Sequence, residues 1–356
     1  MANNPLHPDQ VTAEWINSAL SEGGFIKNSS VIDIKTEILG DSKGFLSSIV
    51  KVIITYDKKE VSAPDSLVVK IEPESDSFRE YGNELHAFQR EILFYKEVAG
   101  NVPIRLPVIY FTVDKPPAFS IVMEDLSHYE PGDQVVGMNL NQIRTTVENV
   151  GKLQAEYWNK GALGKLNWMP STNNIAFDYA NKWDSFVKHF GQFTDQKGLK
   201  VGEKLKNSVK WLENEVSKRP KTIVHSDLRE DNLLFGSGGA DEEVLILDWQ
   251  LAIRSMGAFD VARLIGGSEL PSEREGHQFE VLRCWYDTLI DCGVEAYSWE
   301  EAQYDFRLGA LYCLCYPVHF HDGVIDAKGR KMELVEVLIN RQFASVVELD
   351  AESILP

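Results

Sequence analysis

The sequence predicts an α+β protein with two lobes, a sheet-rich N-terminal lobe over residues 1–125 and a mostly helical C-terminal lobe over 126–356. Val- and Ile-rich segments bounded by Gly, Pro, Asp and Lys dominate the first lobe, as strands require. In the second, apolar residues recur every three or four positions over long stretches, as in helices. With 356 residues and 44% hydrophobic content, the chain is expected to bury a sizeable core.

The N-terminal lobe is predicted to hold a sheet interrupted by one helix. Three strands are predicted, at 31–39, 47–56 and 66–72. The stretch FREYGNELHAFQREILFYKEVAG predicts one amphipathic helix closed by Gly100, with apolar residues at helical spacing: Leu85, Phe88, Ile92, Tyr95 and Val98. An antiparallel strand pair is predicted at 108–113 and 119–123, around the turn residues of the DKPP segment.

The C-terminal lobe is predicted to be helical apart from one embedded strand pair. Helical patterns cover residues 139–162, 176–191, 199–218, 272–292, 298–316 and 329–349. The stretches IVHSDLREDNLLF (223–235) and EEVLILDWQ (242–250) predict two short strands with a loop between them. Within the stretch 223–235, a histidine, three acids, an arginine and an asparagine lie between apolar flanks, which predicts a short loop that presents polar groups to a partner.

Charge and composition limit the classes of molecule that the protein is expected to bind. A net charge of -18 without any basic run argues against binding to nucleic acid, which requires clustered Lys and Arg. The polar start MANNPLHPDQ shows no signal peptide, and the longest apolar run, about 308–320, contains Pro317 and is too short for a bilayer. We therefore expect a cytoplasmic protein without membrane contact, whose oligomeric state has no signature. The four cysteines, without a C-x-x-C pair, predict buried thiols rather than disulfides or zinc ligands.

Asp227, Asn232 and Asp248 have the chemistry and spacing needed for phosphoryl transfer. A carboxylate on a loop can accept the proton of an attacking hydroxyl group. An amide oxygen five residues later, together with a carboxylate at the end of the neighbouring strand, offers the hard oxygen ligands that Mg²⁺ prefers.

These residues carry a family resemblance. HSDLREDN matches the H-x-D-x-x-x-x-N catalytic-loop pattern of the protein-kinase-like superfamily, and ILDWQ stands where those enzymes have D-F-G. Ser226 replaces the arginine of H-R-D, and no A-P-E segment is found, so a protein kinase is not expected. The series through FDVARL resembles the aminoglycoside phosphotransferase and choline kinase-like branch, and most of all the ecdysteroid kinase-like proteins. The resemblance covers roughly residues 35–270 and implies a bilobal kinase-like fold.

The resemblance extends to the N-terminal lobe. Lys70 in SLVVKIEP occupies the position of the phosphate-binding lysine, and Glu91 that of its partner, with Glu84 as the alternative. The segment LGDSKGFLSSIVKV stands where a phosphate-covering loop belongs, which assigns phosphate contacts to Gly44 and Ser47. In the hinge segment IVMEDLS, the resemblance implies that Met123 faces the adenine and that the backbones of Glu124 and Leu126 bind its edge.

The implied activity is a kinase that uses ATP and Mg²⁺ to phosphorylate the hydroxyl group of a small molecule. Asp227 would be the catalytic base and Asn232 and Asp248 the metal ligands, while Arg229 either contacts the transferring phosphate or forms a loop ion pair. His225 and Asp260 would support the catalytic loop. The alternatives are an aminoglycoside-type antibiotic kinase, whose cationic substrate an acidic protein would attract, and a nucleotide-binding pseudokinase or regulatory protein.

Overall fold

The computed structural model describes residues 4–39, 47–115, 118–236, 243–274 and 276–356. They form two compact units, the first from described residues within 1–101, 106–129 and 247–251, the second from those within 102–105, 130–246 and 252–356. A sheet dominates the first unit and helices the second, which confirms the predicted α+β class. The short segment 247–251, which the sequence assigned to the helical lobe, packs in the first unit.

The first unit is built on a five-stranded antiparallel sheet. Its helices and strands are α1 Ala13–Glu22, β1 Val31–Leu39, β2 Ser48–Tyr56, β3 Ser66–Ile71, α2 Asp76–Glu84, α3 Ala87–Glu97, β4 Ile109–Lys115 and β5 Ala118–Glu124. The strands are ordered β1-β2-β3-β5-β4. Each strand predicted from the sequence is present within one or two residues of its expected bounds.

The central strand β3 explains how a charged lysine comes to be buried. Successive side chains of a strand point to opposite faces of its sheet. Leu67, Val69 and Ile71 therefore lie on one face, in the core formed with α1. Lys70 points to the other face and is also buried. The alternation thus delivers one ammonium group to the face of the sheet opposite this core.

Helix α1 is absent from the sequence-based prediction. Its N-cap, Thr12, accepts a hydrogen bond from the Trp15 backbone N–H at 3.2 Å. Trp15, Ile16 and Leu20 then enter the core of the sheet. Their helical spacing is a signal that could have identified this element from the sequence.

The single helix predicted over residues 78–100 is wrong, because the chain forms two helices there. Helix α2 ends at Glu84, and α3 begins after His86, whose φ of 52° is in the left-handed region. The reversal packs the Phe88 ring on Gly82, where a Cβ atom would lie 2.9 Å from the ring. Tertiary packing thus overrides a helical periodicity that runs without interruption through the break.

The second unit contains two small sheets and eleven helices among its described residues. Its elements are β6 Glu130–Pro131, α4 Leu140–Tyr157, α5 Gly161–Lys165, α6 Tyr179–Phe190, α7 Gln196–Lys206, α8 Val209–Lys218, β7 Thr222–Val224, β8 Leu233–Phe235, β9 Val244–Ile246, β10 Ile253–Ser255, α9 Ala258–Ser268, α10 Pro271–Arg274, α11 Gln278–Asp291, α12 Trp299–Cys313, α13 Cys315–Phe320 and α14 Arg330–Glu348. Strands β6, β8 and β9 form one antiparallel sheet, and β10 pairs with β7.

Helix α9 is the centre of this unit, since every one of its residues is buried. A helix in such a position is expected to be apolar on all sides, and Asp260 and Arg263 are the charged exceptions in α9. Four of the predicted long helices are each divided in two: 139–162, 199–218, 272–292 and 298–316. The stretches predicted to form two short strands contain three, β7, β8 and β9. The short strands β6 and β10 were not predicted, because two or three residues carry too little pattern to be recognised. None of the described helices is long and apolar enough to cross a membrane.

All four cysteines are free thiols, but they are not all buried as the sequence suggested. Cys313 and Cys315 are buried, Cys284 is half-buried and Cys292 is exposed. Cys292 follows the last turn of α11, where the chain reaches the surface.

We expect a thiol reagent to label Cys292 rapidly in the native protein and to leave Cys313 unmodified. Burial raises the pKa of the Cys313 thiol to about 12, and the reactive species is the thiolate. Mass spectrometry of native and urea-unfolded samples measures the difference. Equal labelling of the two thiols before unfolding would contradict the packing of α12.

Candidate active site

The Lys70 ammonium group lies between two carboxylates in the first unit. Its Nζ donates to Glu91 Oε2 at 2.7 Å and to Asp248 Oδ1 at 2.9 Å. Lys70 and Glu91 are buried, whereas the Asp248 side chain keeps 36% of its surface exposed. Glu84, the alternative partner, is exposed at the end of α2. The structure therefore places Glu91 beside Lys70 and leaves Asp248 accessible.

Charge pairing keeps this lysine protonated. Burial acts to lower the pKa of Lys70, but Asp248 and Glu91 outweigh burial and raise it. Burial raises the pKa of Glu91 to about 7, and the charge of Lys70 opposes this rise. One ammonium thus pairs with two acids, and burial makes the Glu91 carboxyl group resist ionisation.

The residues that follow Asp248 fix its position. Trp249 stacks on Phe94 of α3, with ring centres 3.9 Å apart and planes at 7°. Gln250 acts to lower the pKa of the Glu91 carboxyl group. Asp248 itself has φ of 63°, which is uncommon for a residue other than glycine. The stacking and ion pairing stabilise a backbone conformation that aims the Asp248 carboxylate at Lys70.

The predicted adenine-binding segment begins in β5, which neighbours the strand of Lys70 in the five-stranded sheet. Met123 is buried on β5 opposite Val68. The Glu124 backbone N–H donates to the Val108 carbonyl at 2.9 Å. The Leu126 carbonyl accepts from the Tyr129 N–H at 2.9 Å, and the Leu126 N–H has no partner within the described part of the chain. The Leu126 N–H is therefore available to a ligand, whereas the Glu124 N–H is already hydrogen-bonded to Val108.

The phosphate-covering loop is described only at its end. Gly44, together with Gly40, lies outside the described residues. Ser47 is half-buried and immediately precedes β2. Its predicted contact with phosphate stays a prediction.

In the second unit, Asp227 lies on the loop between β7 and β8. Its Oδ1 accepts from Arg263 Nη2 at 3.0 Å, and its Oδ2 accepts from Arg229 Nε at 3.1 Å. Asn232 Nδ2 donates to the Asp227 carbonyl at 2.9 Å and to Oδ2 at 3.3 Å. The five-residue spacing therefore turns the Asn232 amide nitrogen back onto Asp227 and leaves the amide oxygen unused by it.

Two guanidinium groups keep the Asp227 carboxylate ionised. Burial acts to raise its pKa, but Arg229 and Arg263 outweigh burial and lower the pKa below the ordinary aspartate value. An ionised carboxylate is the form that accepts a hydrogen bond, and then a proton, from a hydroxyl group.

Arg229 is largely buried and fully engaged. Besides Asp227, its guanidinium group pairs with Asp231, and its Nη1 donates to Gln134 Oε1 at 2.9 Å. Of the two roles left open by the sequence, the structure shows ion pairing within the loop. Glu230 is fully buried, with its Oε1 4.0 Å from Arg341 Nη1.

Asp260 of α9 holds the start of the loop that carries Asp227. Its two oxygens accept from the backbone N–H groups of His225 and Ser226, both at 2.8 Å, and Gln154 Nε2 adds a third donor at 3.2 Å. His225 Nδ1 in turn accepts from the Asp227 N–H at 3.2 Å. Burial raises the pKa of Asp260 to about 7, opposed by the two backbone donors.

Sequence reasoning missed three residues around Asp227. Arg263 contacts the carboxylate directly, Gln134 binds Arg229, and the Tyr316 hydroxyl bonds to Ser226. Arg263 had a usable signal, because a single arginine inside the apolar run AFDVARLIGG requires a buried anionic partner. The other two lie on distant segments without a local pattern.

The residues predicted to hold Mg²⁺ supply suitable atoms. Asp248 uses Oδ1 for Lys70, which leaves Oδ2, and Asn232 uses its amide nitrogen for Asp227, which leaves Oδ1. Over the described ranges there is no cluster of three or more Asp, Glu, His or Cys side chains arranged to hold a metal ion. Magnesium in phosphotransferases usually takes one or two protein oxygens and completes its shell with water and phosphate, so the oxygen left on each residue is of the kind that it binds.

The fold is that of the protein-kinase-like superfamily. More narrowly, the chain belongs to the DUF1679 family, described as "Uncharacterized oxidoreductase dhs-27", whose model matches residues 121–349. A second model, the ecdysteroid kinase-like family, matches residues 41–156. The resemblance stated from the catalytic-loop motifs is thereby confirmed.

Comparisons with individual proteins agree with this fold. The choline kinase LicA of Streptococcus pneumoniae is 14% identical with a TM-score of 0.53, covering 95% of this chain and 98% of that one. A microcompartment-associated aminopropanol kinase gives 13% identity and a TM-score of 0.54, covering 96% and 99%. An ADP-bound aminoglycoside phosphotransferase gives 14% and 0.50, covering 93% and 99%.

Among curated sequences, Calcium-dependent protein kinase 5 of Plasmodium berghei (strain Anka) is 22% identical over 173 residues, 49% of this chain. The match spans only 26% of that kinase's length. At these identities the similarities establish the fold, which is that of the kinase-like small-molecule phosphotransferases.

Proposed function

We propose that this chain transfers the γ-phosphate of ATP to a hydroxyl group of a small molecule. The observation that carries the proposal is the pairing of Lys70 with both Glu91 and Asp248, at 2.7 and 2.9 Å. Kinase-type phosphoryl transfer needs a cation for the phosphates, a carboxylate that orients this cation, and a second carboxylate for the metal. Lys70 and Asp248 meet although they are 178 positions apart in the sequence.

Each described residue has a proposed role. Lys70 binds the phosphates, and the free Leu126 N–H binds the adenine edge together with the Glu124 carbonyl. Asp227 orients the acceptor hydroxyl and receives its proton. Asn232 Oδ1 and Asp248 Oδ2 would hold Mg²⁺, which supplies charge neutralisation at the β- and γ-phosphates when it is bound.

The structure of this chain gives no support to the word oxidoreductase in the description of the family. Dinucleotide-dependent oxidoreductases of the Rossmann type bind their cofactor at a mostly parallel sheet with crossover helices. Every strand pair among the described residues is antiparallel, in all three sheets. The ion-paired Lys70 and the doubly paired Asp227 are instead the groups that phosphoryl transfer uses.

The acceptor is proposed only by class, as a small molecule that carries an alcohol. A net charge of -18 would attract a cationic acceptor over long distances, although charge alone does not select one. Choline, ethanolamine, aminoglycosides and sterols therefore belong in one panel.

The experiment is to incubate the purified protein with ATP and Mg²⁺ and each panel member, and to follow ADP release together with the mass gain of one phosphoryl group. The kinase proposal expects at least one acceptor to gain a phosphoryl group. A parallel assay with NADH and NADPH covers the oxidoreductase description. Nicotinamide turnover without any phosphorylated product would reject the proposal.

A further inference from the structure

The Asp227 carboxylate is held by more donors than a catalytic base requires. An ionised carboxylate offers about four acceptor positions. Three are used by described side chains: Arg263 Nη2 at Oδ1, and Arg229 Nε and Asn232 Nδ2 at Oδ2. One position is left, and it is on Oδ1, the oxygen that Arg263 holds.

Arg263 is itself fixed from several sides. It is 4% exposed on the fully buried helix α9. Its guanidinium carbon lies 4.5 Å from the centre of the Tyr316 ring on α13, a cation–π contact. In the amide orientation that satisfies both groups, Gln342 of α14 accepts from Arg263 Nη1 and donates to the Cys313 carbonyl. The arginine therefore cannot turn without disturbing three helices.

The same contacts reach the backbone next to the base. The Tyr316 hydroxyl donates to the Ser226 carbonyl and lies 2.8 Å from Ser226 Oγ. Asn173 Nδ2 donates to that Oγ at 2.7 Å. Ser226 has φ of 73°, a conformation that a serine adopts only when its surroundings impose it. Arg263 and Tyr316 together fix both the side chain of Asp227 and the peptide that precedes it.

We propose that Arg263 is a positioning residue for the transfer reaction, which holds Asp227 so that Oδ1 faces the acceptor hydroxyl group. This inference rests on the proposed function. In the step it serves, the acceptor oxygen forms a bond to the γ-phosphorus and its proton passes to Asp227 Oδ1. The bond from the γ-phosphorus to the bridging oxygen breaks, and its electron pair leaves with ADP. Arg229 and Asn232 occupy Oδ2 throughout.

The test compares Arg263→Gln with Arg263→Lys and a matched control. Arg263→Gln is expected to lower kcat by about 100-fold, the cost of misplacing a reacting group by about an ångström. Its KM for ATP should change less than about twofold, because Arg263 is not placed at the nucleotide. Arg263→Lys keeps a cationic donor but loses the planar stacking on Tyr316, so its kcat should lie between those of the wild type and Arg263→Gln.

Arg274→Gln is the matched control, because Arg274 is an equally buried arginine paired with a carboxylate, Glu348, at 2.8 Å. It should lower the Tm and leave kcat unchanged below that temperature. An unchanged kcat in Arg263→Gln, or an equal loss in Arg274→Gln, would overturn the proposal.

Failure of the kinase activity itself is a separate outcome. If the wild-type protein phosphorylates no acceptor, the pairing is judged from Tm values of Arg263→Gln, Asp227→Asn and the double variant. A loss of Tm in the double variant that is smaller than the sum of the two single losses would sustain the pairing. Arg263→Gln removes one of the two cations at Asp227, and Asp227→Asn leaves Arg263 without its carboxylate, so the two changes should not add. Additive effects would overturn it.

Discussion

Asp227→Asn is expected to lower kcat by roughly 10²- to 10⁴-fold, the usual contribution of a general base. Asparagine has nearly the same shape and can still accept through one oxygen, but its amide cannot take a proton at neutral pH. The KM for ATP should change little, because Asp227 is proposed to act on the acceptor. Steady-state kinetics with the best acceptor of the panel measures both constants.

The control for this variant is Asp287→Asn on α11, which removes a carboxylate paired with Arg283 at 2.7 Å in the same unit. That pair is exposed, so its loss should leave kcat and Tm nearly unchanged. Circular dichroism shows whether the Asp227 variant keeps its fold. A folded Asp227→Asn protein with wild-type kcat would remove Asp227 from the role of base.

Asp248→Asn is expected to abolish the effect of Mg²⁺ on nucleotide affinity. The asparagine Oδ1 can still accept from Lys70, so the pocket around this lysine is retained, but the negative charge that attracts the cation is lost. The gain in ATP affinity that Mg²⁺ gives should fall by at least roughly 10- to 100-fold, because mutating even a residue that only supports a metal ligand lowers metal affinity by that factor. Calorimetric titration of ATP with Mg²⁺ and with EDTA gives the ratio of Kd values for each protein.

Asp114→Asn is the corresponding control in the first unit, because Asp114 also pairs with a lysine, Lys96, at 2.7 Å. It should keep the wild-type ratio of Kd values with and without Mg²⁺. If Asp248→Asn also keeps that ratio, the metal ligand has been assigned to the wrong residue.

The local sequence pattern was sufficient to predict most helices and strands, but not the residues at which they end. The strands of the first sheet were predictable because alternating Val and Ile mark a surface buried on one or both sides. The helix breaks after Glu84 and Lys206 were not predictable, because helical periodicity continues across both and only packing decides where the chain turns. Strands of two or three residues, such as β6 and β10, leave no periodic signal at all.

The candidate site divides in the same way. Motif spacing predicted Asp227, Asn232 and Asp248 as site residues, because phosphoryl transfer uses side chains of these kinds. It could not choose between Glu84 and Glu91 on firm grounds, since both follow the same strand. Glu84 lies at the exposed end of α2, whereas Glu91 is buried on α3, so the geometry favours Glu91 as the partner of Lys70.

By itself, the sequence determined the α+β class, the strand that carries Lys70 and the loop that carries Asp227, because these depend on short-range periodicity and on motif chemistry. Only the tertiary structure decided which groups meet: Lys70 with Asp248, and Arg263 with Asp227. Such contacts join positions far apart in the chain. Their partners are chosen by the packing of whole helices and strands, which one sequence does not display.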